Sequence, residues 1–181
     1  MLELWDTQGD LNRGHQYRKY QTMKKVNTNE IIEHEWSSPG GKYEGGGKDI
    51  SEELGRIPES LDMSERHPFD IEICRVPPGK APYPYHSHSA QWEFYHVMSG
   101  KGKVRDDKGW TPIETGDAFL FKPGQAHQIK NDSNEDLTLY VVADNPLGET
   151  CYYPDSHKWG VPLPTRKFIR SDSLDYYDGE E

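Results

Sequence analysis

Short β-rich runs separated by tight turn signals fill residues 68–144, and this pattern constrains the fold more than any other feature of the chain. The runs alternate with clusters of Gly, Pro, Asn and Asp about every ten residues and show no helical period. They cover residues 69–76, 83–88, 92–98, 101–106, 110–114, 117–122, 126–130 and 137–143. Eight short strands joined by tight turns are typical of an antiparallel sandwich or barrel, so we expect an all-β fold.

Four side chains within these runs have the chemistry of a metal site: His86, His88, Glu93 and His127. Alternate side chains of a strand point to the same face, so His86 and His88 face one side together. Glu93 follows after a short break, whereas His127 must be brought in by the fold. Three imidazoles and one carboxylate suit a divalent transition metal (Zn, Mn, Fe or Ni) and do not suit calcium or magnesium. Four protein ligands on an octahedral ion leave about two positions open for water or substrate.

The two blocks that hold these residues resemble the paired motifs of the cupin family. The first motif has a glycine, His-x-His, a glutamate and a second glycine, which here are Gly79, His86, His88, Glu93 and Gly100. The second motif matches at Gly116, Gly124, His127 and Asn131. The sequence departs from the pattern in the spacing after Gly79 and at Lys122, which stands where the motif has proline, but no ligand is lost. The resemblance implies a double-stranded β-helix, or jelly-roll barrel.

More loosely, residues 152–159 and 176–181 resemble the tail of single-domain cupins labelled as sugar-phosphate isomerases, although a fold does not fix a function. A metal with open sites acts as a Lewis acid on a sugar, sugar phosphate, or hydroxy or keto acid. We therefore expect an isomerase, epimerase or lyase, with Tyr95 and Lys122 as catalytic candidates beside the ligand Glu93. An Fe- or Ni-dependent dioxygenase and a non-catalytic, metal-dependent small-molecule binder or sensor remain open as alternatives.

Several other polar side chains carry expectations. Metal-bound imidazoles need acceptors for their second nitrogen, and Gln91, Gln125 and Gln128 are candidates. His96 follows Glu93 by three places, so it should face away from the ligands. Arg75 interrupts an apolar strand; a surface salt bridge is the favoured interpretation, and an anion site is the alternative.

The composition of the chain bears on its binding partners and on the cellular compartment in which we expect it. The net charge of -10 argues against nucleic acid as a partner. The opening residues 1–10 are acidic and lack the apolar core of a signal peptide, and no apolar run is long enough to cross a membrane. Cys74 and Cys151 are too few and too far apart for a secreted disulfide framework. We expect a cytoplasmic protein with both cysteines reduced.

The remaining residues are expected to form two arms around a barrel that spans residues 67–146. The N-terminal arm, residues 1–66, should contain loops at its glycine clusters, including Gly45-Gly46-Gly47, and a strand over 31–36 that adds to a sheet edge. A short helix is predicted at 50–55, with Asp49 as its cap and Glu52 closing a capping box. The C-terminal arm, residues 147–181, shows no strand ladder and is expected to pack on the barrel or on a partner subunit. Arms of this length favour a homodimer.

Overall fold

The computed structural model describes residues 23–58, 60–162, 165–170 and 176–180. The first 22 residues of the predicted N-terminal arm and its residue 59 therefore lie outside the described part of the chain, as do residues 163–164, 171–175 and 181 of the C-terminal arm. The described residues form thirteen strands and two one-turn helices, so the predicted all-β class is confirmed. None of the helices found in these ranges is long and apolar enough to cross a membrane.

The strands form three antiparallel sheets. The largest sheet has the order β1 (His34–Ser37), β2 (Glu44–Asp49), β3 (Phe69–Val76), β10 (Leu137–Asp144), β5 (Glu93–Ser99) and β8 (Ala118–Phe121). A three-stranded sheet has the order β7 (Gly109–Glu114), β6 (Lys101–Asp106) and β9 (Gln128–Lys130). A four-stranded sheet has the order β13 (Lys167–Ile169), β12 (Lys158–Val161), β11 (Cys151–Tyr153) and β4 (Ser87–His88).

The inner face of the largest sheet changes character along the strands. On β10 burial alternates residue by residue, which is the pattern of a strand with one face on the core. Toward one end, Val76, Val97, Leu137 and Leu139 are fully buried against one another. Toward the other end the inward positions of β3 and β5 are polar or ionisable and line a cavity. The packed end forms the hydrophobic core of the barrel. The open end presents polar and ionisable side chains to a cavity.

The eight predicted strands are all present, with adjusted bounds. The runs at 69–76 and 101–106 match β3 and β6, whereas the run at 83–88 is regular only at β4. Pro84 explains this, because proline donates no ladder hydrogen bond. His86 is instead held by an isolated bridge to His127.

The triple glycine was wrongly predicted as a loop, because Gly45, Gly46 and Gly47 form the middle of β2. Side chains from β1 lie across the glycine backbone. A Cβ on Gly45 would lie 2.5 Å from a ring carbon of Trp36, and a Cβ on Gly47 would lie 2.5 Å from His34. Glycine here gives room for close cross-strand packing. The strand predicted over 31–36 is confirmed as β1, at the edge of the sheet.

The helix predicted at 50–55 is confirmed as α1 (Ile50–Glu53), with Asp49 at its N-cap position, but the predicted capping hydrogen bond is absent. The side chain of Asp49 makes no capping hydrogen bond and lies instead 3.1 Å from Nδ1 of His34. A second short helix, α2 (Met63–Arg66), was not predicted; its cap is Asp62, which accepts a hydrogen bond from the Ser64 amide. The C-terminal arm does form strands, β11 to β13, contrary to expectation. They complete the sheet that contains His88.

Candidate metal centre

The four predicted ligands come together at the open end of the barrel. His86 and His127 exchange both backbone hydrogen bonds, at 3.1 and 2.8 Å, and this bridge closes the barrel beside their side chains. His88 lies two residues further along in β4, and Glu93 begins β5. One ligand atom from each of the four residues lies within 4.8 Å of the others. The Glu93 carboxylate is central, with Oε2 2.7 Å from Nε2 of His127 and 3.5 Å from Nε2 of His88.

Each imidazole is oriented through its Nδ1 atom. Nδ1 of His86 lies 2.8 Å from the carbonyl oxygen of Pro84, and Nδ1 of His127 lies 3.1 Å from that of Gln125. Nδ1 of His88 lies 3.2 Å from the Glu149 carboxylate. An acceptor at Nδ1 fixes the proton there and leaves Nε2 with a free lone pair, which is how metal-binding histidines are usually prepared.

The Nε2 atoms of His88 and His127 are buried, and their contacts with the Glu93 carboxylate do not have hydrogen-bond geometry. Buried polar atoms are nearly always hydrogen-bonded, so two such atoms beside one carboxylate require another explanation. A transition-metal ion accounts for both, because it accepts lone pairs from imidazole nitrogen and carboxylate oxygen together. The residues present therefore fit a metal ion.

The predicted glutamine acceptors are wrong. The side chain of Gln91 donates to the carbonyl of Asp144, and that of Gln128 donates to the carbonyl of Tyr83. The side chain of Gln125 accepts from the Lys122 amide. Only the backbone of Gln125 serves a ligand histidine, since the chain's local geometry places carbonyls, rather than glutamine side chains, beside His86 and His127.

The electrostatic surroundings favour the deprotonated, metal-binding forms of Glu93 and His86. Burial alone would raise the pKa of Glu93, but the contact with His127 and the nearby histidine charges lower it to about 2. Burial, with the neighbouring His127 and His88, lowers the pKa of His86 to about 4. Burial also opposes charge on His88, yet its contacts with Cys151 and Glu149 and the nearby Glu93 raise its pKa to about 10. His88 must release that proton when a metal ion takes Nε2.

Glu149 belongs to the candidate centre through its contacts, and the sequence analysis did not single it out. Its carboxylate accepts hydrogen bonds from the backbone amides of Ser89, Ala90 and Gln91 at 2.8, 2.8 and 3.0 Å, as well as contacting His88. This clamp fixes the loop between β4 and β5, and so fixes His88 relative to Glu93. Nothing in the local sequence marks Glu149, because its partners lie about sixty residues away in the chain.

The two catalytic candidates lie in different environments. Tyr95 is buried on the inner face of β5, and its hydroxyl donates a 3.1 Å hydrogen bond to Oε2 of Glu93. Lys122 is exposed, and its ammonium lies 5.7 Å from the centre of the Trp92 ring, away from the residues that line the cavity. His96 faces away from the ligands, as expected. Tyr95 thus contacts the candidate centre, whereas a catalytic role for Lys122 stays a prediction that the geometry does not favour.

A cavity of about 590 Å³ opens beside the four ligands. Further ionisable residues line it, namely Asp70, Glu72, Glu149, Arg56, Arg66 and Arg166. The guanidinium of Arg66 donates to three backbone carbonyls, and Arg56 pairs with Asp70 at 2.8 Å. Arg75, in contrast, lies outside the cavity and pairs with Glu33 and Glu35, so its favoured surface salt bridge is confirmed. The cavity is large enough for a small polar molecule.

Both cysteines are free, as expected. Cys74 is buried in the core, whereas Cys151 lines the cavity with its sulfur 3.6 Å from Nδ1 of His88. His88, Glu149 and Cys151 form a second group whose ligand atoms lie within 4.8 Å of one another. This group would use Nδ1 of His88, so it competes with the Glu149 clamp rather than adding to it.

Comparison with known proteins finds a family match for the segment that forms most of the barrel. Residues 72–143 match the family model of the cupin domain. The match spans less than half of the chain and identifies this segment as a cupin-2 type domain. His86, His88, Glu93 and His127 all lie within the segment, so the predicted resemblance is confirmed for this domain.

The chain is similar, over part or most of its length, to three known proteins. It is similar to an oxalate-binding protein from Thermotoga maritima, with 32% identity over 68 residues; the match spans 38% of this chain and only about half of the relative, 55%. Two solved structures match more of the chain. A protein from Acidithiobacillus ferrooxidans, described provisionally as a sugar phosphate isomerase, is 22% identical, with a TM-score of 0.69 over 81% of this chain and 92% of that one. A sugar phosphate isomerase of the cupin superfamily from Silicibacter pomeroyi is 23% identical, with a TM-score of 0.68 over 84% and 98%. These likenesses confirm the double-stranded β-helix fold.

Proposed function

We propose that this cupin binds one divalent transition-metal ion through His86, His88, Glu93 and His127 and acts on a small polar molecule in the adjoining cavity. The observation that carries the proposal is the orientation of the ligands: three Nδ1 atoms contact acceptors, which leaves the three Nε2 atoms available, and one ligand atom from each histidine lies within 4.8 Å of one of Glu93. A structural metal site is closed on all sides. This cluster instead borders a cavity of about 590 Å³, which favours a reactive or ligand-binding centre.

The reaction we propose is isomerisation, epimerisation or a lyase reaction on a sugar, a sugar phosphate, or a hydroxy or keto acid. When bound, the metal supplies a Lewis acid that stabilises negative charge on substrate oxygen atoms. The protein supplies the geometry: Glu149 holds His88, and the Tyr95 hydroxyl holds the Glu93 carboxylate. Two relatives described as sugar phosphate isomerases share the fold and are consistent with this class, although their low identity supports the fold alone.

Non-catalytic binding of a small carboxylate is the second candidate, and one observation favours it. The relative with the higher identity, 32%, is an oxalate-binding protein. A carboxylate offers adjacent oxygens to a metal with two open positions, so the same centre suits either function. The Fe- or Ni-dependent dioxygenase also remains, and the identity of the metal separates it from the others.

The test is elemental analysis of protein purified without a histidine tag, followed by a ligand screen. We expect one transition-metal ion per chain in the wild type and none in His86→Ala/His127→Ala. His96→Ala is the matched control, because it removes a histidine from β5 that faces away from the centre. Turnover of a sugar phosphate or hydroxy acid supports the enzyme, and binding of oxalate without turnover supports the binder. A wild type that holds no metal after reconstitution overturns both.

The homodimer also remains a proposal. Its support is the outer face of the largest sheet, where Phe69, Phe94, Met98 and Leu120 are each more than a third exposed. Exposed apolar groups of this kind on one sheet face mark protein contacts more often than free surface. Light scattering of the full chain at micromolar concentration tests it: twice the chain mass is expected, and a monomeric mass refutes it. A cytoplasmic location stays a prediction.

A further inference from the structure

The carboxyl group of Glu72 lines the cavity from the middle of β3. Glu72 lies opposite Asp49 of β2 and Val141 of β10, and Val141 in turn lies opposite Tyr95 of β5. Directly opposed residues in antiparallel strands carry their side chains on the same face. Glu72 therefore shares the inner face with Tyr95, whose hydroxyl reaches the proposed ligand Glu93.

Glu72 differs from the other acids of this face in having no partner. Asp70, two residues earlier on β3, forms an ion pair with Arg56, and Glu93 lies against His127. No hydrogen bond or ion pair joins the Glu72 side chain to any other residue in the described ranges. Glu72 is half-buried on this face, and an acid in such a position is rarely left unpaired for structural reasons, because a desolvated charge without a partner is costly. The carboxyl avoids this cost by keeping its proton.

The surroundings of Glu72 favour the neutral form. Burial is the largest cause, and the nearby carboxylates of Asp49, Asp70 and Glu93 add repulsion, whereas Arg56 opposes them. Together they raise the pKa of Glu72 to about 8. A carboxylic acid in this range is protonated at neutral pH yet gives up its proton readily, which suits general acid–base chemistry.

We propose that Glu72 is the acid–base residue of the cavity, giving a proton to a small molecule bound beside the four proposed metal ligands and taking it back. The proposal rests on the proposed function and names the group that moves the proton. In the acid direction the Glu72 O–H bond breaks, and the proton joins a substrate oxygen or carbon that holds an electron pair. In the base direction a substrate C–H bond breaks, its electron pair stays on the substrate, and the proton joins Glu72. No oxidant or second cofactor is needed.

The first test measures the protonation of Glu72 by infrared difference spectroscopy across pH. Wild type minus Glu72→Gln should show a protonated carboxyl band at neutral pH that disappears with an apparent pKa of about 8. Glu135→Gln, which changes an exposed glutamate, should leave the band intact. Titration near the ordinary glutamate value of about 4.3 overturns the proposal, because Glu72 would then be ionised at neutral pH. If circular dichroism shows that Glu72→Gln does not fold, Glu72→Met serves as the variant of similar size.

The second test asks whether Glu72 gives its proton to a bound anion, with oxalate as the probe. Calorimetry of the metal-loaded protein, in two buffers of different ionisation heat and near the pH at which the infrared titration of that loaded protein half-ionises Glu72, measures proton uptake on binding. Wild type and Glu135→Gln should take up a proton fraction that Glu72→Gln loses, while metal content is equal in all three. Uptake that persists in Glu72→Gln overturns the proposal. A wild type without metal or oxalate binding contradicts the proposed function instead, and the infrared titration, which needs neither, still decides the protonation of Glu72.

Discussion

The two ends of the same inner sheet face make different use of the same strands. At one end β3, β5 and β10 contribute fully buried apolar side chains, Val76, Val97, Leu137 and Leu139. At the other end β3 and β5 contribute Glu72, Glu93 and Tyr95 to the wall of a cavity. The alternation of side chains along a strand determines which residues face inward. It does not determine whether those residues form the hydrophobic core or line the cavity. Side chains that stabilise the barrel and side chains that line the candidate site therefore lie at separate ends of one barrel, and each set can be substituted separately.

The largest expected effect lies at the cavity end. His127→Ala removes one of four ligands and the backbone-bridged imidazole that contacts Glu93, so metal binding should be lost. The metal-loaded protein should also lose the stabilisation that a bound ligand gives to the folded state. Metal titration followed by calorimetry of the loaded sample measures both, and His96→Ala should change neither. Full metal content in His127→Ala would show that this histidine is not a ligand.

At the packed end, Leu137→Ala should lower the free energy of unfolding by about 2–5 kcal/mol, because the side chain is fully buried and leaves a cavity. Urea denaturation of the metal-free protein measures this loss. The folded variant should still bind metal with wild-type stoichiometry. A variant that loses its metal with little change in stability would break the proposed separation of the two ends.

The clamp on His88 should have an intermediate effect. Glu149→Gln keeps the shape of the side chain but weakens four contacts that depend on its negative charge. Removing such a partner of a metal-bound histidine typically costs about 10–100-fold in metal affinity. Competition with a chelator measures the affinity. Glu44→Gln, which alters an exposed pair with Lys80, is the control and should leave metal affinity unchanged.

Tyr95→Phe should have the smallest effect of the four. It removes the 3.1 Å hydrogen bond to Glu93 and leaves the ring stacked on Phe119. The expected loss of stability is about 0.5–1.5 kcal/mol, with a metal affinity reduced by less than in Glu149→Gln. Urea denaturation and the same chelator competition measure these changes. If turnover is found, a loss of turnover without loss of metal would assign Tyr95 to catalysis rather than to holding Glu93.

The sequence predicts the barrel, and it picks out four residues that the structure brings together, because both the strands and the ligand motif rest on local patterns. Strands β3, β6 and β10 follow from runs of β-rich residues, and the ligand set follows from a motif in two short blocks. Glu149 carried no such signal, since its role arises from contacts with residues far away in the chain. The sequence analysis also missed Glu72, although a signal was present. Glu72 lies two residues before the buried Cys74 on β3, so its side chain points to the same inner face.

The flanking segments were harder to predict, because tertiary contacts override local preference there. Three glycines signal a loop, yet β2 uses them to let Trp36 and His34 lie close to the backbone. The strands β11 to β13 have little alternation of burial; β11 pairs with β4, and β12 and β13 add to it in turn. These segments supply the clamp at Glu149 and the cavity residue Arg56, so they belong to the site as much as the barrel does.

We propose that one transition-metal ion lies among the Nε2 atoms of three histidines and the Glu93 carboxylate. A crystal structure of the untagged protein, with anomalous data collected at the absorption edge of the metal found by elemental analysis, tests it most directly. We expect a single anomalous peak at about 2.0–2.2 Å from Nε2 of His86, His88 and His127. A peak bound to Nδ1 of His88 with Glu149 and Cys151, or no peak after metal is supplied, would contradict the account.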